Sequence, residues 1–313
     1  MKLATRFLQI PLQFDAELLA REVNSIEASA WMSHPQGFAG NDYLPLVAAG
    51  GEPRSEAFMG PMRPTPYLLG CPYLIDVLAS LGVVVGRSRL MRLSGNAEVK
   101  PHIDVHYYWR DRMRVHVPIV TQPSVRFICG DQEINMGPGE CWIFDTWAWH
   151  RVLNDAVESR IHLVVDTVGG DKFSALMARG RNLDSPAGWA ATPVAPFQAS
   201  VHDIDFERVS SPMVMTPWEV NAHIEFLLSE TDESQGSTYT LVSRALEDFK
   251  RSWRMNWSAF GADVDGLPRY LQALDILARR LNESQAASLK LKNGYGFIPT
   301  LNAMVLSTAL SRK

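Results

Sequence analysis

A histidine and an aspartate two residues apart, followed later by a second histidine, are the residues best suited to hold a metal ion. His102 and Asp104 flank a single isoleucine, and His150 follows an aromatic segment, IFDTWAWH. In a strand, residues two apart point to the same face, so one imidazole and one carboxylate converge there. Two histidines and one carboxylate leave three positions of an ion open, as in non-haem Fe(II) oxygenases. We therefore predict that His102, Asp104 and His150 are catalytic metal ligands.

A His-x-acid pair alone is a weak signal, because one is expected by chance among 8 histidines and 34 acidic residues. A second pair, His223 and Glu225, lies in a segment with helical periodicity. Residues two apart on a helix are about 200° apart around its axis. This second pair cannot converge on one ion, and we do not interpret it as a metal site.

An arginine follows the second histidine at the start of a strand-like run, RIHLVVD. A guanidinium binds a carboxylate through two parallel hydrogen bonds. Arg160 could therefore hold the far carboxylate of a dicarboxylic acid whose near end chelates the metal. The alternative is a surface arginine paired with Glu158 or Asp155.

Short β-branched and aromatic runs separated by turn residues surround these candidates. Strands are predicted at 83–94, 113–121, 125–130, 140–145 and 160–168. Such spacing is typical of an antiparallel sandwich or barrel rather than of βαβ units. The sequence contains no dinucleotide-binding fingerprint and no phosphate-binding loop.

Helical patterns precede and follow this β region. Helices are predicted at 15–30 (Asp15 as N-cap), 72–81, 217–230, 239–254 and 266–283, and a long loop at 33–66. We expect residues 1–183 to form a β domain with an N-terminal helical cap. Residues 184–313 are expected to form a linker and a C-terminal helical region.

Composition excludes several classes of protein. The chain has 313 residues, a net charge of −4, and 3 cysteines without CxxC spacing. This charge gives no basic field for nucleic acid, and the cysteines predict neither a disulfide framework nor a zinc site. No apolar run is long enough to span a bilayer, and Pro11, Gln13 and Asp15 interrupt any secretory signal. We expect a cytoplasmic protein without membrane or nucleic-acid partners.

The stretches SRLMRLSGNAEVKPHIDVHYYWRDRMRVHVPIV and INMGPGECWIFDTWAWHRVLNDAVESRIHLVVD resemble the aspartyl/asparaginyl β-hydroxylase family, especially its small bacterial proline-hydroxylase members. The resemblance covers residues 83–168, with a weaker echo at 43–51. It implies a double-stranded β-helix, or jelly-roll, fold of the cupin type, and the use of Fe(II), 2-oxoglutarate and O2. It also implies that His102, Asp104 and His150 bind iron and that Arg160 binds the distal carboxylate of 2-oxoglutarate.

The same resemblance aligns Arg114 and His116 with an Arg-x-His pair that approaches the co-substrate or substrate. These residues alternate on one predicted strand, and a buried arginine on that face needs an anionic partner. His106 continues the alternation of His102 and Asp104, and it could ligate metal, contact substrate or be a satisfied loop residue. His162 alternates with Arg160 and could line the barrel or form a hydrogen bond in the core.

The implied activity is hydroxylation of an unactivated C–H of a free amino acid or peptidyl residue, with release of succinate and CO2. The substrate is thus a small molecule or a short peptide. Two alternatives are a cupin-type metalloenzyme without 2-oxoglutarate and a non-enzymatic jelly-roll binding module. The C-terminal helices could close a homodimer or cover the barrel.

Overall fold

The computed structural model describes residues 2–35, 37–185, 188–208 and 213–310. These residues form two compact units. The first unit takes its residues from 1–104 and 111–210, and the second from 105–110 and 211–313. The domain boundary expected between residues 183 and 184 stays a prediction, and the stretch after it contributes two short strands to the first unit.

The first unit is built on fourteen strands and four helices within the described chain. The strands are β1 (Phe7–Phe14), β2 (Met32–Ser33), β3 (Asn41–Ala49), β4 (Met62–Pro64), β5 (Val84–Leu93), β6 (Ala97–His102), β7 (Met113–Val120), β8 (Val125–Cys129), β9 (Gln132–Ile134), β10 (Glu140–Phe144), β11 (His150–Asn154), β12 (Arg160–Thr167), β13 (Thr192–Val194) and β14 (Asp205–Phe206). The α-helices of this unit are α1 (Ala16–Asn24), α2 (Pro66–Leu69), α3 (Pro72–Leu81) and α5 (Asp171–Ala178), and the 3-10 helices are Ala28–Ala30 and Val201–Asp203. Helix α4 (Tyr107–Arg110) belongs to the second unit.

Strands β5 to β12 alternate between two sheets. The larger sheet has the order β13-β1-β10-β7-β12-β5-β3-β2, and the smaller has the order β6-β11-β8-β9. The chain therefore crosses from β5 to β6 and back to β7, and it crosses again from β10 to β11 and back to β12. This winding of antiparallel strands defines a double-stranded β-helix. The predicted fold class, with helices before and after the jelly roll, is confirmed.

Alternating residues of the larger sheet enter two different cores. Val115, Ile143 and Leu163 pack with helices α1, α3 and α5 on its outer face. The inner face contributes Trp142 and Phe144 to a second core, shared with the smaller sheet. Among the described residues, the buried side chains of this second core are Phe7, Leu93, Val125, Phe127, Cys129, Ile134, Met136, Trp142, Phe144, Ala148 and Val152. Side chains two residues before or after these inner residues on the same strand therefore also face the interior of the barrel.

Two elements of the first unit differ from the sequence-based predictions. The helix predicted at 15–30 ends at Asn24, although Asp15 caps it as expected by accepting a hydrogen bond from the Leu18 amide at 2.9 Å. The loop predicted at 33–66 contains β3, whose residues Leu44 and Leu46 are fully buried. Pro45 lies inside this strand, where a register shift accommodates the missing backbone donor.

The second unit is helical. Its α-helices are α4, α6 (Pro217–Ser229), α7 (Gly236–Phe260), α8 (Leu267–Glu283) and α9 (Phe297–Leu301). Shorter helical turns lie at Glu233–Gln235, Val264–Gly266, Ala286–Ser288 and Asn302–Leu306. The three predicted C-terminal helices are thus present, and Trp253 packs against Tyr270 at a ring distance of 4.6 Å. Within the described chain, none of the helices has the length and apolarity needed to cross a membrane.

Candidate metal and co-substrate site

The two predicted histidine ligands are direct neighbours on adjacent strands. His102 ends β6, His150 begins β11, and the two residues pair in the antiparallel register. Their ring centroids lie 4.2 Å apart. Asp104 lies beyond the end of β6, where its backbone amide donates to the Thr146 carbonyl at 3.1 Å. Ligand atoms of His102, Asp104 and His150 all lie within 4.8 Å of one another.

Asp104 reaches this cluster by a route different from the predicted one. We expected a continuous strand to place His102 and Asp104 on one face, but β6 ends at His102. The chain instead bends after the strand, and the Thr146 carbonyl holds Asp104 beside the two imidazoles.

Backbone carbonyls fix the tautomers of both histidines. Nδ1 of His102 lies 2.8 Å from the Lys100 carbonyl, and Nδ1 of His150 lies 3.0 Å from the Ala148 carbonyl. A carbonyl only accepts, so each Nδ1 carries a proton, and in the neutral form of each ring Nε2 is the nitrogen left to bind a metal. Burial lowers the pKa of His150 to about 4, against a smaller opposing effect of Asp104. The ring of His150 is therefore neutral at neutral pH.

Arg114 connects Asp104 to a second carboxylate. Its Nη1 lies 3.0 Å from Oδ2 of Asp104, and its Nε donates to Oδ1 of Asp166 at 3.2 Å. Burial opposes ionisation of Asp104, but the charges of Arg114, His150 and His102 outweigh it and hold the pKa of Asp104 below its usual value. Arg114 thus keeps Asp104 ionised and fixes its orientation.

Arg160 is a buried guanidinium in the barrel interior. It is 4% exposed, and its flanking residue Ile161 packs in the outer core. Its Nη2 lies 3.3 Å from Nδ1 of His162, and it has no carboxylate partner among the residues that the structure describes. Burial alone lowers the pKa of Arg160 to about 10. The alternative of a surface arginine paired with Glu158 or Asp155 does not hold, because Asp155 instead pairs with Arg126.

His116 and His162 lie on the interior face of the larger sheet. They fill the space between Arg160 and the metal-ligand candidates His102 and His150. The ring centroids of His116 and His162 are 5.9 Å apart, and the His116 ring contacts Phe144, which in turn contacts His150. Both nitrogens of His116 and Nε2 of His162 have no hydrogen-bond partner within the described residues. Burial, reinforced by nearby positive charges, holds the pKa of both rings well below the ordinary value. These neutral rings offer donors and acceptors to a ligand in the barrel.

The remaining histidine candidates lie in the second unit. His106 precedes α4, and its Nδ1 accepts the Tyr108 amide at 3.4 Å. Its role toward metal or substrate stays a prediction. His223 and Glu225 lie within α6, which confirms the helical context expected for that pair.

Sequence reasoning missed Asp166, His34 and Arg89. Asp166 is found by extending the alternation of Arg160 and His162 along β12, which places it on the inner face. The same rule applied to β5 places Arg89 on that face. No local pattern signals His34, because it reaches the Tyr43 ring only through the folding of a loop.

The fold and site define a double-stranded β-helix with a two-histidine, one-carboxylate cluster. Residues 61–169 match the model of the family described as aspartyl/asparaginyl β-hydroxylase. The match spans both histidines, Asp104 and Arg160. This match supports the predicted family over residues 61–169.

Among curated proteins, L-proline cis-3-hydroxylase 1 of a Streptomyces species is 26% identical over 167 residues. The alignment covers 50% of this chain and 57% of that relative.

Two solved structures are also similar. One is a 2OG-Fe(II) oxygenase family oxidoreductase from Burkholderia pseudomallei, with a TM-score of 0.37 and 10% identity over 50% of this chain and 80% of that one. The other is a Pseudomonas putida prolyl-4-hydroxylase, with a TM-score of 0.36 and 16% identity over 52% of this chain and 92% of that one. These two likenesses are too weak to bear on activity.

Proposed function

We propose that this chain is an Fe(II)- and 2-oxoglutarate-dependent dioxygenase. It hydroxylates an unactivated C–H of a free amino acid or a peptidyl amino-acid residue and releases succinate and CO2. One observation carries the proposal. Two imidazole Nε2 atoms and a carboxylate converge in a barrel that also buries an arginine without a carboxylate partner among the described residues.

The three converging side chains fit a catalytic Fe(II) site. His102, Asp104 and His150 supply two nitrogens and one oxygen, and both Nδ1 atoms are held by carbonyls, as second-shell groups orient metal-bound histidines. Three ligands leave room for a co-substrate and O2. When bound, Fe(II) and 2-oxoglutarate would reduce and activate O2, which supplies one oxygen atom to succinate and one to the substrate.

Arg160 binds the distal carboxylate of 2-oxoglutarate in this proposal. A buried guanidinium costs free energy unless an anion compensates it, and the co-substrate supplies that anion. His116 and His162 lie beside it and offer ring nitrogens to the same molecule. Arg114 has two roles here. It orients Asp104 through the ion pair, and it lies on the same face of β7 as His116, from which we propose that it also approaches the co-substrate.

The apolar core around the site protects the reaction from water. Phe127 and Phe144 pack against the His116 ring, and Phe144 also contacts His150. Side chains of this kind exclude solvent and keep reactive species away from competing reactions.

The placement of Arg160 favours this activity over the two alternatives. A cupin-type enzyme without 2-oxoglutarate has no use for a buried arginine of this kind, and a binding module has no need for oriented metal ligands. The similarity to L-proline cis-3-hydroxylase 1, whose name specifies a free amino acid, supports the substrate class that we propose.

The test is succinate formation by the Fe(II)-loaded protein with 2-oxoglutarate and O2. Free L-amino acids, beginning with L-proline, and blocked short peptides are the substrates. We expect succinate to form in step with a product heavier by one oxygen atom. His102→Ala should abolish both products, whereas His202→Ala, which removes an exposed histidine of the same unit, should keep them. Oxidation products that form without consumption of 2-oxoglutarate would contradict the proposal.

A further inference from the structure

A second arginine faces the barrel interior and also has no carboxylate partner among the described residues. Arg89 lies on β5, where alternation places it with Leu93 on the inner face, while Leu90 packs in the outer core. Its guanidinium carbon lies 5.4 Å from the centre of the Tyr43 ring. Burial and the charge of Arg87 lower the pKa of Arg89 to about 10, so it remains a cation at neutral pH.

The carboxylates near Arg89 are engaged elsewhere. Asp166 accepts a hydrogen bond from Arg114, and Glu56 accepts one from the Tyr43 hydroxyl. Arg87 donates to the backbone carbonyl of Glu56 at 3.4 Å, and its guanidinium also lies 4.2 Å above the Phe58 ring. When a metal is bound, Asp104 coordinates it and no longer balances the charge of an arginine. The guanidinium groups near Arg89 then outnumber the carboxylates that are left to balance them.

His34 lies beside the aromatic ring that Arg89 also approaches. Burial, reinforced by the charge of Arg89, lowers the pKa of His34 to about 4, so its ring is neutral at neutral pH. The ring also contacts Tyr43 at a centroid distance of 6.3 Å and Phe38 at 5.9 Å. A neutral imidazole and a cation therefore share the Tyr43 ring as a neighbour.

2-Oxoglutarate cannot be the anion that Arg89 binds. The co-substrate has two carboxylates, of which one chelates the metal and the other binds Arg160. Arg89 is in register with Val164, four residues along β12 from Arg160, a distance of about 13 Å along the strand. A carboxylate at Arg89 must therefore come from another molecule.

We infer that Arg89, with His34 and Tyr43 beside it, forms the subsite that binds a carboxylate of the substrate. This inference rests on the proposed function and narrows it to substrates that carry a carboxylate near the hydroxylated carbon. Two sources share this chemistry: the α-carboxylate of a free amino acid, and an acidic side chain within a peptide.

The test compares carboxylate probes with their neutral amides. The protein is loaded with Zn(II), which is redox-inert, and with 2-oxoglutarate, and binding is measured by calorimetry. The probes are the free L-amino acids and their carboxamides, together with blocked peptides that contain aspartate or asparagine. We expect the wild type to bind a carboxylate probe at least tenfold more tightly than the matched amide.

Arg89→Gln should weaken binding of that carboxylate about ten- to a hundredfold, the range for a charged hydrogen bond. Binding of the matched amide should not change, and Arg89→Lys should restore part of the loss. The control is Arg92→Gln on the same strand, because Arg92 pairs with Asp42 at 2.7 Å and lies over Trp31. That variant should bind both probes as the wild type does.

Three results would overturn the inference. Arg89→Gln could keep the wild-type preference, the wild type could bind amides as well as acids, or no carboxylate probe could bind to protein that holds 2-oxoglutarate. Affinity for 2-oxoglutarate separates this failure from failure of the proposed function. Arg89→Gln should bind 2-oxoglutarate normally, whereas a wild type that does not bind it contradicts the proposed function itself.

Discussion

His102 and His150 face each other across the β6–β11 ladder, with their ring centroids 4.2 Å apart. Each ring is held by a carbonyl two residues before it in the chain. Two strands of the smaller sheet thus preform the nitrogen half of a metal site before any ion binds. Asp104 joins from the bend that follows β6.

A preformed site predicts that metal stabilises the folded protein. At a metal concentration one hundred times the Kd, the free energy of unfolding should rise by about 2.7 kcal/mol. Thermal unfolding with and without Fe(II) under anaerobic conditions measures this gain. His150→Ala should lose it, and His202→Ala should keep it. An equal gain in both variants would indicate metal binding elsewhere.

Replacement of Arg160 should raise the stability of the ligand-free protein and weaken its binding of 2-oxoglutarate. Its lowered pKa corresponds to about 3 kcal/mol of desolvation that disfavours the cation. Arg160→Met should therefore stabilise the ligand-free protein by about 1–3 kcal/mol. The same change should weaken 2-oxoglutarate binding at least tenfold. Chemical denaturation and calorimetry measure the two effects, and a variant that is less stable yet still binds 2-oxoglutarate would refute this account of Arg160.

Asp166 should affect metal affinity indirectly, because it holds Arg114, which orients the metal-ligand candidate Asp104. Asp166→Asn weakens the hold on the Arg114 guanidinium, which in turn orients Asp104. We expect metal affinity to fall about ten- to a hundredfold, as when outer-shell partners are removed. Asp155→Asn is the control, because it breaks an arginine pair on the surface. Equal metal affinities for the two variants would show that the connection through Arg114 has no effect.

Acid should destabilise the metal-free protein through its buried histidines. The pKa of His162 is well below 6.5 in the folded protein because of burial and the charge of Arg160. The unfolded chain binds a proton as pH falls below 6.5, whereas the folded chain does not, so the free energy of unfolding falls with pH in this range. His162→Gln should flatten this dependence in unfolding curves recorded from pH 7.5 downward. If the free energy of unfolding of His162→Gln depends on pH as steeply as that of the wild type, His162 does not contribute to the destabilisation by acid.

Strand alternation and helix capping depend only on residues close together in the sequence, so the sequence predicted both. Alternation predicted that Arg114 and His116 share a face of β7 and that Arg160 and His162 share a face of β12, and in the structure both faces line the barrel interior. Asp15 predicted the start of α1, because a short side chain with an acceptor oxygen can cap the free backbone amides of a helix's first turn.

Two strands with an internal proline, β1 and β3, escaped the same reasoning. β1 contains Pro11 and β3 contains Pro45, and both residues look like breaks in a strand. In each strand the register shifts at the proline, so the ladder continues around the missing donor. A single sequence does not reveal such bulges, because they depend on the partner strand.

Contacts between distant segments were also beyond sequence reasoning. The proximity of His34 to Arg89 depends on how the loop before β3 folds over β5. The bend that carries Asp104 depends on the Thr146 carbonyl, which belongs to another loop. The residue types were visible in the sequence, but their partners were not.

Anaerobic titration of the metal-free protein with Fe(II) and 2-oxoglutarate tests the central claim most directly. Chelation of Fe(II) by the keto acid produces a weak charge-transfer band in the visible spectrum. We expect this band in the wild type, its loss in His102→Ala, and a much higher 2-oxoglutarate requirement in Arg160→Met. Iron that binds without producing the band would contradict the assignment of 2-oxoglutarate as co-substrate.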